Sequence, residues 1–472
     1  MNDTLLIPNG VNGSNGEYLL QPPTPRQILE VSLGNRLPKE FLTKLQDRHD
    51  RSVEHYGVPF GVEPEKLSQT GWAVLFPRDT HPEIIQALRP LLELRKEQTG
   101  SLYREFLGGE GYLPGDTANR WLARAPRSKG PGVCTCEKVP YYLLIVGTPE
   151  QIPFRFQYEL SVNYAVGRIH FETLENYRNF ANNVVRADTR VNDRPRALFF
   201  GPRNNGDAAT RLSADKLVAP LAVHVEHPSW QIETCLADSA TKEMLKLQLF
   251  HSGPAPAFLF TASHGMGFAL DDPRQLRHQG ALLCQDWSGP LIHRGSIEPE
   301  LYFSADDLED DMDLNSMIIM HFACYGAGTP QFDNFSRPGQ PLRQLASADF
   351  LSALPMRALG LAKGAQAVVG HIERAWSYAF DWPGTQAELS TFESTLRALM
   401  HGNYRLGHAM AFFSERFAGL SVALNAQLED VNLGANIDEI LLSQLWAASN
   451  DARNYLVLGD PAARLGSTTA VD

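Results

Sequence analysis

Two reactive side chains each come just after a predicted apolar strand. His264 follows the run AFLFTAS (257–263), and Cys324 follows SMIIMHFA (316–323). In parallel α/β sheets, functional residues lie just beyond the carboxyl ends of strands. A thiol becomes a nucleophile when a neighbouring imidazole takes its proton, and a glycine such as Gly265 lets substrate approach the backbone N–H groups that stabilise an oxyanion. Alone, Cys324 would ordinarily be a buried apolar residue and His264 part of a turn. Together, they predict acyl-transfer chemistry.

The strands that must position these residues alternate with helical patterns. Apolar, β-rich runs lie at 71–77, 141–147, 165–171, 196–202, 257–263, 316–323 and 366–372. This alternation predicts an α/β fold with a parallel sheet covered on both faces by helices. We divide the chain into a flexible leader over 1–25, an N-terminal α/β subdomain over 26–192 and a catalytic subdomain over 193–472.

Composition excludes several classes of function. The formal charge of −12 argues against nucleic acid or an anionic membrane as the main partner. No run approaches the roughly 18 apolar residues of a membrane span. Five cysteines among 472 residues do not resemble a disulfide framework, so we expect a reduced, cytoplasmic protein.

Two segments raise the question of a metal site. Cys134 and Cys136 form a CxC pair without further ligands at metal-site spacing, and a plain loop is the simpler interpretation. The acidic run DDLEDDMD (306–313) fits either a solvated loop or a Ca²⁺ site. We predict no metal and no cofactor.

The order of these motifs resembles the clan of caspases, gingipains and CHAT-domain peptidases. The resemblance to gingipain-type cysteine peptidases covers about residues 140–465. It rests on YYLLIVGTPEQIPF, NYAVGRIHFETLENYRNF, TASHG, MIIMHFACYGAGTPQFDNF, AKGAQAVVGHIERAWSYAF and YLVLGDPAARL, in that order. It implies a caspase-like fold and a cysteine endopeptidase.

The resemblance also implies roles for individual residues. His264 would be the acid/base, Cys324 the nucleophile, and the N–H groups of Gly265 and Cys324 the oxyanion hole. Asp215 matches an S1 carboxylate that selects a basic P1 side chain, Arg above all, with Asp207 as the fallback acid. Asp215 alternatively only favours the first turn of its helix.

The resemblance is less complete at two further positions. Trp376 matches a pocket-lining tryptophan, or else belongs to the core. An acidic residue near the histidine in some gingipains falls here around Asn204 or Asn205. His264 is therefore left without an assigned orienting partner.

Three functions stay open at this point. The first is an endopeptidase that acts on proteins or peptides. It would be a regulated intracellular effector, for example in bacterial defence. A partner, an upstream protease or self-cleavage would activate it. The candidate cleavage loops contain Arg124, Arg127, Arg274, Arg277 and Arg343. The alternatives are a catalytically silent scaffold and a non-proteolytic thiol amidase or acyltransferase.

Overall fold

The computed structural model describes most of the chain. The described residues are 8–20, 23–34, 42–43, 45–46, 57–124, 134–189, 195–250, 255–336, 341–382, 387–433, 436 and 438–465. None of the helices in this part of the chain has the length and apolar content needed to span a lipid bilayer.

The strands are short, and most carry β-branched or aromatic residues. In chain order they are β1 (Gly10–Asn12), β2 (Trp72–Leu75), β3 (Tyr103–Phe106), β4 (Tyr142–Val146), β5 (Ala165–Ile169), β6 (Arg196–Gly201), β7 (Gln231–Leu236), β8 (Phe258–Ala262), β9 (Gly265–Gly267), β10 (Leu282–Leu283), β11 (Tyr302–Phe303), β12 (Ile318–Phe322), β13 (Gly328–Thr329), β14 (Phe350–Leu351), β15 (Ala367–His371) and β16 (Tyr455–Gly459).

The helices lie between the strands, as the sequence pattern predicts. They are α1 (Pro25–Gly34), α2 (Leu67–Thr70), α3 (Pro82–Ala87), α4 (Arg89–Thr99), α5 (Ala118–Arg124), α6 (Phe154–Leu160), α7 (Leu174–Asp188), α8 (Ala208–Leu212), α9 (Ala219–His224), α10 (Lys242–Phe250), α11 (Gln275–His278), α12 (Ala353–Gly360), α13 (Ser390–Met400), α14 (Leu406–Ala409), α15 (Ala411–Asn432) and α16 (Glu439–Arg453). A π-helical segment, Ser213–Val218, joins α8 to α9.

In the described part of the chain, ten strands form one central sheet in the order β3-β2-β4-β5-β16-β15-β12-β8-β6-β7. Within the described residues, neighbouring strands of this sheet are parallel except for β15 and β16. Strand β16, from the end of the chain, lies between β5 and β15 and so joins the two predicted subdomains in one sheet. A smaller sheet has the order β1-β9-β10-β11.

Alternating side chains divide the core between the two faces of the central sheet. In β6, Leu198 and Phe200 belong to one hydrophobic cluster, and Ala197 and Phe199 belong to another. Helices α4, α7 and α10 contribute to the first cluster, and α9, α13 and α15 contribute to the second. The prediction of an α/β fold with a largely parallel sheet flanked by helices is confirmed.

The predicted leader contains structure that the sequence did not indicate. Residues 10–12 form β1, and Val11 is completely buried. Asn-Gly pairs at 9–10, 12–13 and 15–16 are typical turn signals, and they concealed the strand between them.

A buried ion pair joins the first half of the chain to the last strand. The Arg95 guanidinium donates through Nε to Asp460 Oδ2 at 3.0 Å and through Nη1 to Asp188 Oδ1 at 3.1 Å. The Trp72 indole donates to Asp460 Oδ1 at 3.0 Å. Because the side chains of Arg95 and Asp460 are 1% and 0% exposed, neither has water as an alternative partner.

We predict that Asp460→Ala lowers the free energy of unfolding by about 3–5 kcal/mol, because it leaves the Arg95 charge buried without its main partner. Urea denaturation of the full chain measures this change. Asp313→Ala is the control, since Asp313 pairs with Lys363 at an exposed site. A loss below about 1 kcal/mol, the range of surface pairs, would contradict the assigned role of Asp460.

Candidate active site

The register of two parallel strands brings His264 and Cys324 to the same edge of the sheet. Residues 258–262 of β8 pair in order with residues 318–322 of β12, so the two strands end together. His264 and Cys324 each lie two residues beyond the paired ends. The structure therefore places both at the carboxyl edge, where α/β folds hold their functional residues.

The backbones of these two turns are in direct contact at Gly265. A Cβ atom on Gly265 would lie 1.7 Å from the Cys324 carbonyl oxygen and 2.7 Å from its nitrogen. No side chain fits at that distance, so glycine is required at this position. The close approach aligns the N–H groups of Gly265 and Cys324 side by side.

The Cys324 thiol is fully buried and touches the loop after β15. The Ala375 N–H donates to Cys324 Sγ at 3.3 Å. The next residue, Tyr325, has φ +59°, a left-handed conformation that is strained for an aromatic residue and marks a sharp turn after the thiol. Burial raises the pKa of the Cys324 thiol to about 12, so it is protonated in this state.

His264 has the orienting partner that the sequence did not assign. His264 Nε2 lies 2.8 Å from Asp207 Oδ2, and both side chains are fully buried. The other ring nitrogen, Nδ1, has no hydrogen-bond partner among the described residues. The ring also contacts Tyr18 and Trp287, with centroid distances of 5.7 and 6.1 Å. Because Asp207 contacts Nε2, the Nδ1 atom of His264 is available for proton transfer.

Asp207 is held by both its helix and a tyrosine. It caps α8, accepting from the Thr210 N–H at 3.0 Å and from the Thr210 hydroxyl at 2.6 Å. The Tyr18 hydroxyl donates to its other oxygen at 2.5 Å. Burial opposes the charge on Asp207, but the charge and hydrogen bond of His264, with the bonds from Thr210 and Tyr18, hold its pKa below the ordinary range.

One carbonyl oxygen lies between the two backbone N–H groups at the centre of the site. Asn9 O accepts from the Gly265 N–H at 3.3 Å and from the Cys324 N–H at 3.2 Å. Two N–H groups that converge on one oxygen beside a thiol form the geometry needed to stabilise an oxyanion.

The remaining predicted residues, Asp215 and Trp376, make contacts with other partners. Asp215 is in the π-helical segment, half-exposed and paired with Arg203 at 3.1 Å. Trp376 is buried against Phe335, with ring centroids 5.0 Å apart, and its backbone N–H donates to Asp451. The S1 roles of Asp215 and Trp376 stay predictions.

Sequence reasoning missed Asp207 as the histidine's partner. Asn204, one of the two residues that the resemblance indicated, instead donates to the carbonyl oxygens of Cys284 and Trp287. The sequence suggested Asp207 only as the fallback acid of the S1 pocket, whereas the structure places it as the N-cap of α8 and as the partner of His264.

The other segments that the sequence singled out also have defined partners. Arg127 is outside the described residues, whereas Arg124, Arg274 and Arg277 pair with Asp116, Asp272 and Asp306. Cys134 and Cys136 are buried, with sulfurs 3.7 Å apart. Within the described ranges, no group of three or more His, Cys, Asp or Glu residues could hold a metal ion.

Comparisons with known proteins give likenesses of fold at low identity. No protein-family model matches the chain, and no curated protein matches it significantly. A solved structure described as a protease aligns with 83% of this chain and 78% of its own, at 12% identity and TM-score 0.48. The complex of the pro- and mature domains of RgpB from Porphyromonas gingivalis aligns with 84% and 80%, at 13% identity and TM-score 0.42.

A third structure, the Saccharomyces cerevisiae separase–securin complex, aligns with 81% of this chain but only 23% of that chain, at 10% identity and TM-score 0.31. Likenesses at this level carry no argument about family or activity.

The depressed pKa of Asp207 predicts how its contribution to stability depends on pH. A carboxylate whose pKa is lower in the folded chain stabilises above its unfolded value, about 3.9, and the stabilisation is lost as the pH falls toward the folded value. We expect Asp207→Asn to lower the melting temperature at pH 5–7, with the difference from wild type shrinking below about pH 4.

Thermal denaturation from pH 3 to 7 measures this difference. Asp79→Asn, at a side chain 94% exposed, is the control and should follow the wild type throughout. A difference between Asp207→Asn and wild type that stays constant across this range would contradict a charged Asp207 in the folded site.

Proposed function

We propose that the chain is a cysteine endopeptidase in which Cys324 is the nucleophile and His264, oriented by Asp207, is the acid/base. The observation that carries the proposal is the convergence of the Gly265 and Cys324 N–H groups on one carbonyl oxygen, 3.2–3.3 Å away and next to the thiol. Core packing does not require two aligned N–H donors at that point, whereas acyl transfer requires them to stabilise the oxyanion.

The reaction follows from these positions. Cys324 Sγ attacks the scissile carbonyl carbon while His264 takes the thiol proton, and the two N–H groups stabilise the oxyanion. When the intermediate collapses, the C–N bond breaks and His264 gives the proton to the leaving amine. Water, activated by His264, then hydrolyses the thioester and regenerates the thiol.

The buried Asp207 supports an active site over a silent scaffold. Burying a carboxylate against a histidine is costly unless the pair is fully hydrogen-bonded, and Asp207 accepts from Thr210 and Tyr18 as well as contacting His264. Such a network keeps the imidazole in one tautomer and orientation, as a catalytic base requires.

The proposed substrates are proteins or peptides that bind in an extended conformation. The Ala375 carbonyl, beside the thiol, accepts from a backbone N–H at 2.9 Å. Main-chain pairing of this kind recognises any extended peptide, and side-chain pockets then add specificity. A regulated cytoplasmic effector remains our proposal for the cellular role.

A preference for Arg at P1 also remains a proposal, and it rests on Asp215. The Arg203 guanidinium already occupies this carboxylate. A substrate Arg would therefore have to displace Arg203 before it could pair with Asp215.

We predict that Cys324→Ala and His264→Ala each reduce kcat/KM for internally quenched peptides by at least 10³-fold, because each removes a group that bonds with the reacting atoms. Cys235→Ala, at another buried cysteine, is the matched control and should keep wild-type activity. Peptide cleavage that survives Cys324→Ala would exclude the proposed nucleophile.

For P1 specificity, we predict that Asp215→Asn reduces the preference for Arg over Leu at P1 by about tenfold, the value of one charge-assisted pair. Measuring kcat/KM for two peptides that differ only at P1 gives this ratio. An unchanged ratio would remove Asp215 from the S1 pocket and leave the peptidase proposal intact.

A further inference from the structure

The segment of residues 8–20, here called the strap, lies across the proposed site as a substrate would. The Asn9 N–H donates to Ala375 O at 2.9 Å, and Pro8 forms an antiparallel bridge with Trp376. The Asn9 carbonyl oxygen accepts from Gly265 and from Cys324. These contacts orient Asn9 as a P1 residue, with its carbonyl in the oxyanion hole.

The next residue, Gly10, is pressed against the nucleophile. A Cβ atom on Gly10 would lie 2.8 Å from Cys324 Sγ and 2.6 Å from Leu19 Cδ1, so only glycine fits without movement. From Gly10 onward, β1 pairs in parallel with β9, which begins at Gly265. The Asn9–Gly10 peptide bond therefore passes directly through the reaction centre, with the chain held on both sides of it.

The strap is fixed to the site beyond that bond as well. The Tyr18 hydroxyl donates to Asp207, and the Ser14 hydroxyl donates to Asp272 at 2.7 Å. The Leu19 N–H donates to the Gly10 carbonyl at 3.0 Å, which folds the strap back on itself. Residues 11–20 thus hold the strap on the site, while Pro8, Asn9 and Gly10 occupy the position where substrate would bind.

We propose that the Asn9–Gly10 bond is the enzyme's own first substrate: Cys324 cleaves the chain after Asn9, and the uncleaved strap blocks the site against other peptides. This inference rests on the proposed function, and it specifies how the site is controlled and which P1 residue it accepts first. That P1 residue carries a neutral amide, so the first cleavage does not call on Asp215.

The step is a balanced acyl transfer followed by hydrolysis. Cys324 Sγ bonds to the Asn9 carbonyl carbon, the bond to Gly10 nitrogen breaks, and the thiol proton passes through His264 to the Gly10 amine. Water then cleaves the thioester, which releases the chain that ends at Asn9 and restores the thiol. The products are an Asn9 carboxylate and a new amino terminus at Gly10.

Two features of the strap favour departure of the product after cleavage. Asn9 is 1% exposed, and neither polar atom of its side chain has a hydrogen-bond partner in the described part of the chain. An unpartnered buried amide is unfavourable and is relieved when the peptide leaves. The new Gly10 ammonium would be a buried charge, which is unfavourable. We therefore expect Gly10 to move away from the thiol toward water.

Intact-mass spectrometry and amino-terminal sequencing of the purified full chain test the inference. We expect a new terminus at Gly10 in wild type and none in Cys324→Ala. The strap contains its own control for spontaneous Asn-Gly breakdown, because identical pairs occur at Asn12–Gly13 and Asn15–Gly16. Gly13 packs against Phe268 and Gly16 lies near Gly295, not near the thiol, so both pairs should stay intact.

Gly10→Val separates this inference from the proposed function. The larger side chain cannot fit between Leu19 and Cys324, so it displaces residues 8–10 from the site. We therefore expect self-cleavage to fall by more than tenfold, while added peptides reach the vacated site. Gly109→Val is the matched control, since no atom lies within 4 Å of a Cβ there, and it should process like wild type.

The outcomes separate cleanly. Suppose that Gly10→Val cleaves added peptides in a Cys324-dependent way, but wild type shows no Gly10 terminus after prolonged incubation. This result overturns self-cleavage and leaves the peptidase proposal standing. A Gly10 terminus that also forms in Cys324→Ala, or equal cleavage at all three Asn-Gly pairs, overturns it too. No cleavage of the chain or of added peptides by any variant contradicts both proposals.

Discussion

The contact between the Gly265 and Cys324 backbones is the constraint on which the rest of the site depends. It exists because β8 and β12 are parallel, end at the same level and are followed by turns of matching length. With a Cβ clearance of only 1.7 Å, no residue other than glycine permits it. The contact places the Gly265 and Cys324 N–H groups side by side. Both donate to the Asn9 carbonyl oxygen, in the geometry that stabilises an oxyanion.

Electrostatics and burial in the site depend on the same arrangement. Asp207 is kept charged by partners from three parts of the chain: His264 after β8, Thr210 in α8 and Tyr18 in the strap. Burial raises the pKa of Cys324, although the hydrogen bond from the Ala375 N–H acts in the opposite direction. The site is thus organised around a charged base partner and a neutral nucleophile, a combination in which the histidine must move the thiol proton during attack.

The sequence predicted what is local and strongly patterned. The seven apolar runs became β2, β4, β5, β6, β8, β12 and β15, since buried strands leave little ambiguity in composition. Strands β3 and β7 were not predicted because they lie at the sheet edges and carry half-exposed polar residues such as Glu105 and Glu233. Asp207 and Asn9 were missed because their roles come from contacts 57 and more than 250 residues away in sequence, which no local pattern records.

A mechanism-based label shows whether Cys324 is an activated peptidase nucleophile. A peptidyl acyloxymethyl ketone alkylates only a cysteine that a catalytic base has activated, and mass spectrometry assigns the adduct among the five cysteines of the chain. With Gly10→Val, which opens the site, we expect one adduct, on Cys324, and its loss in the double variant that also carries His264→Ala. An adduct on another cysteine, or labelling of Cys324 that is indifferent to His264, would contradict this expectation.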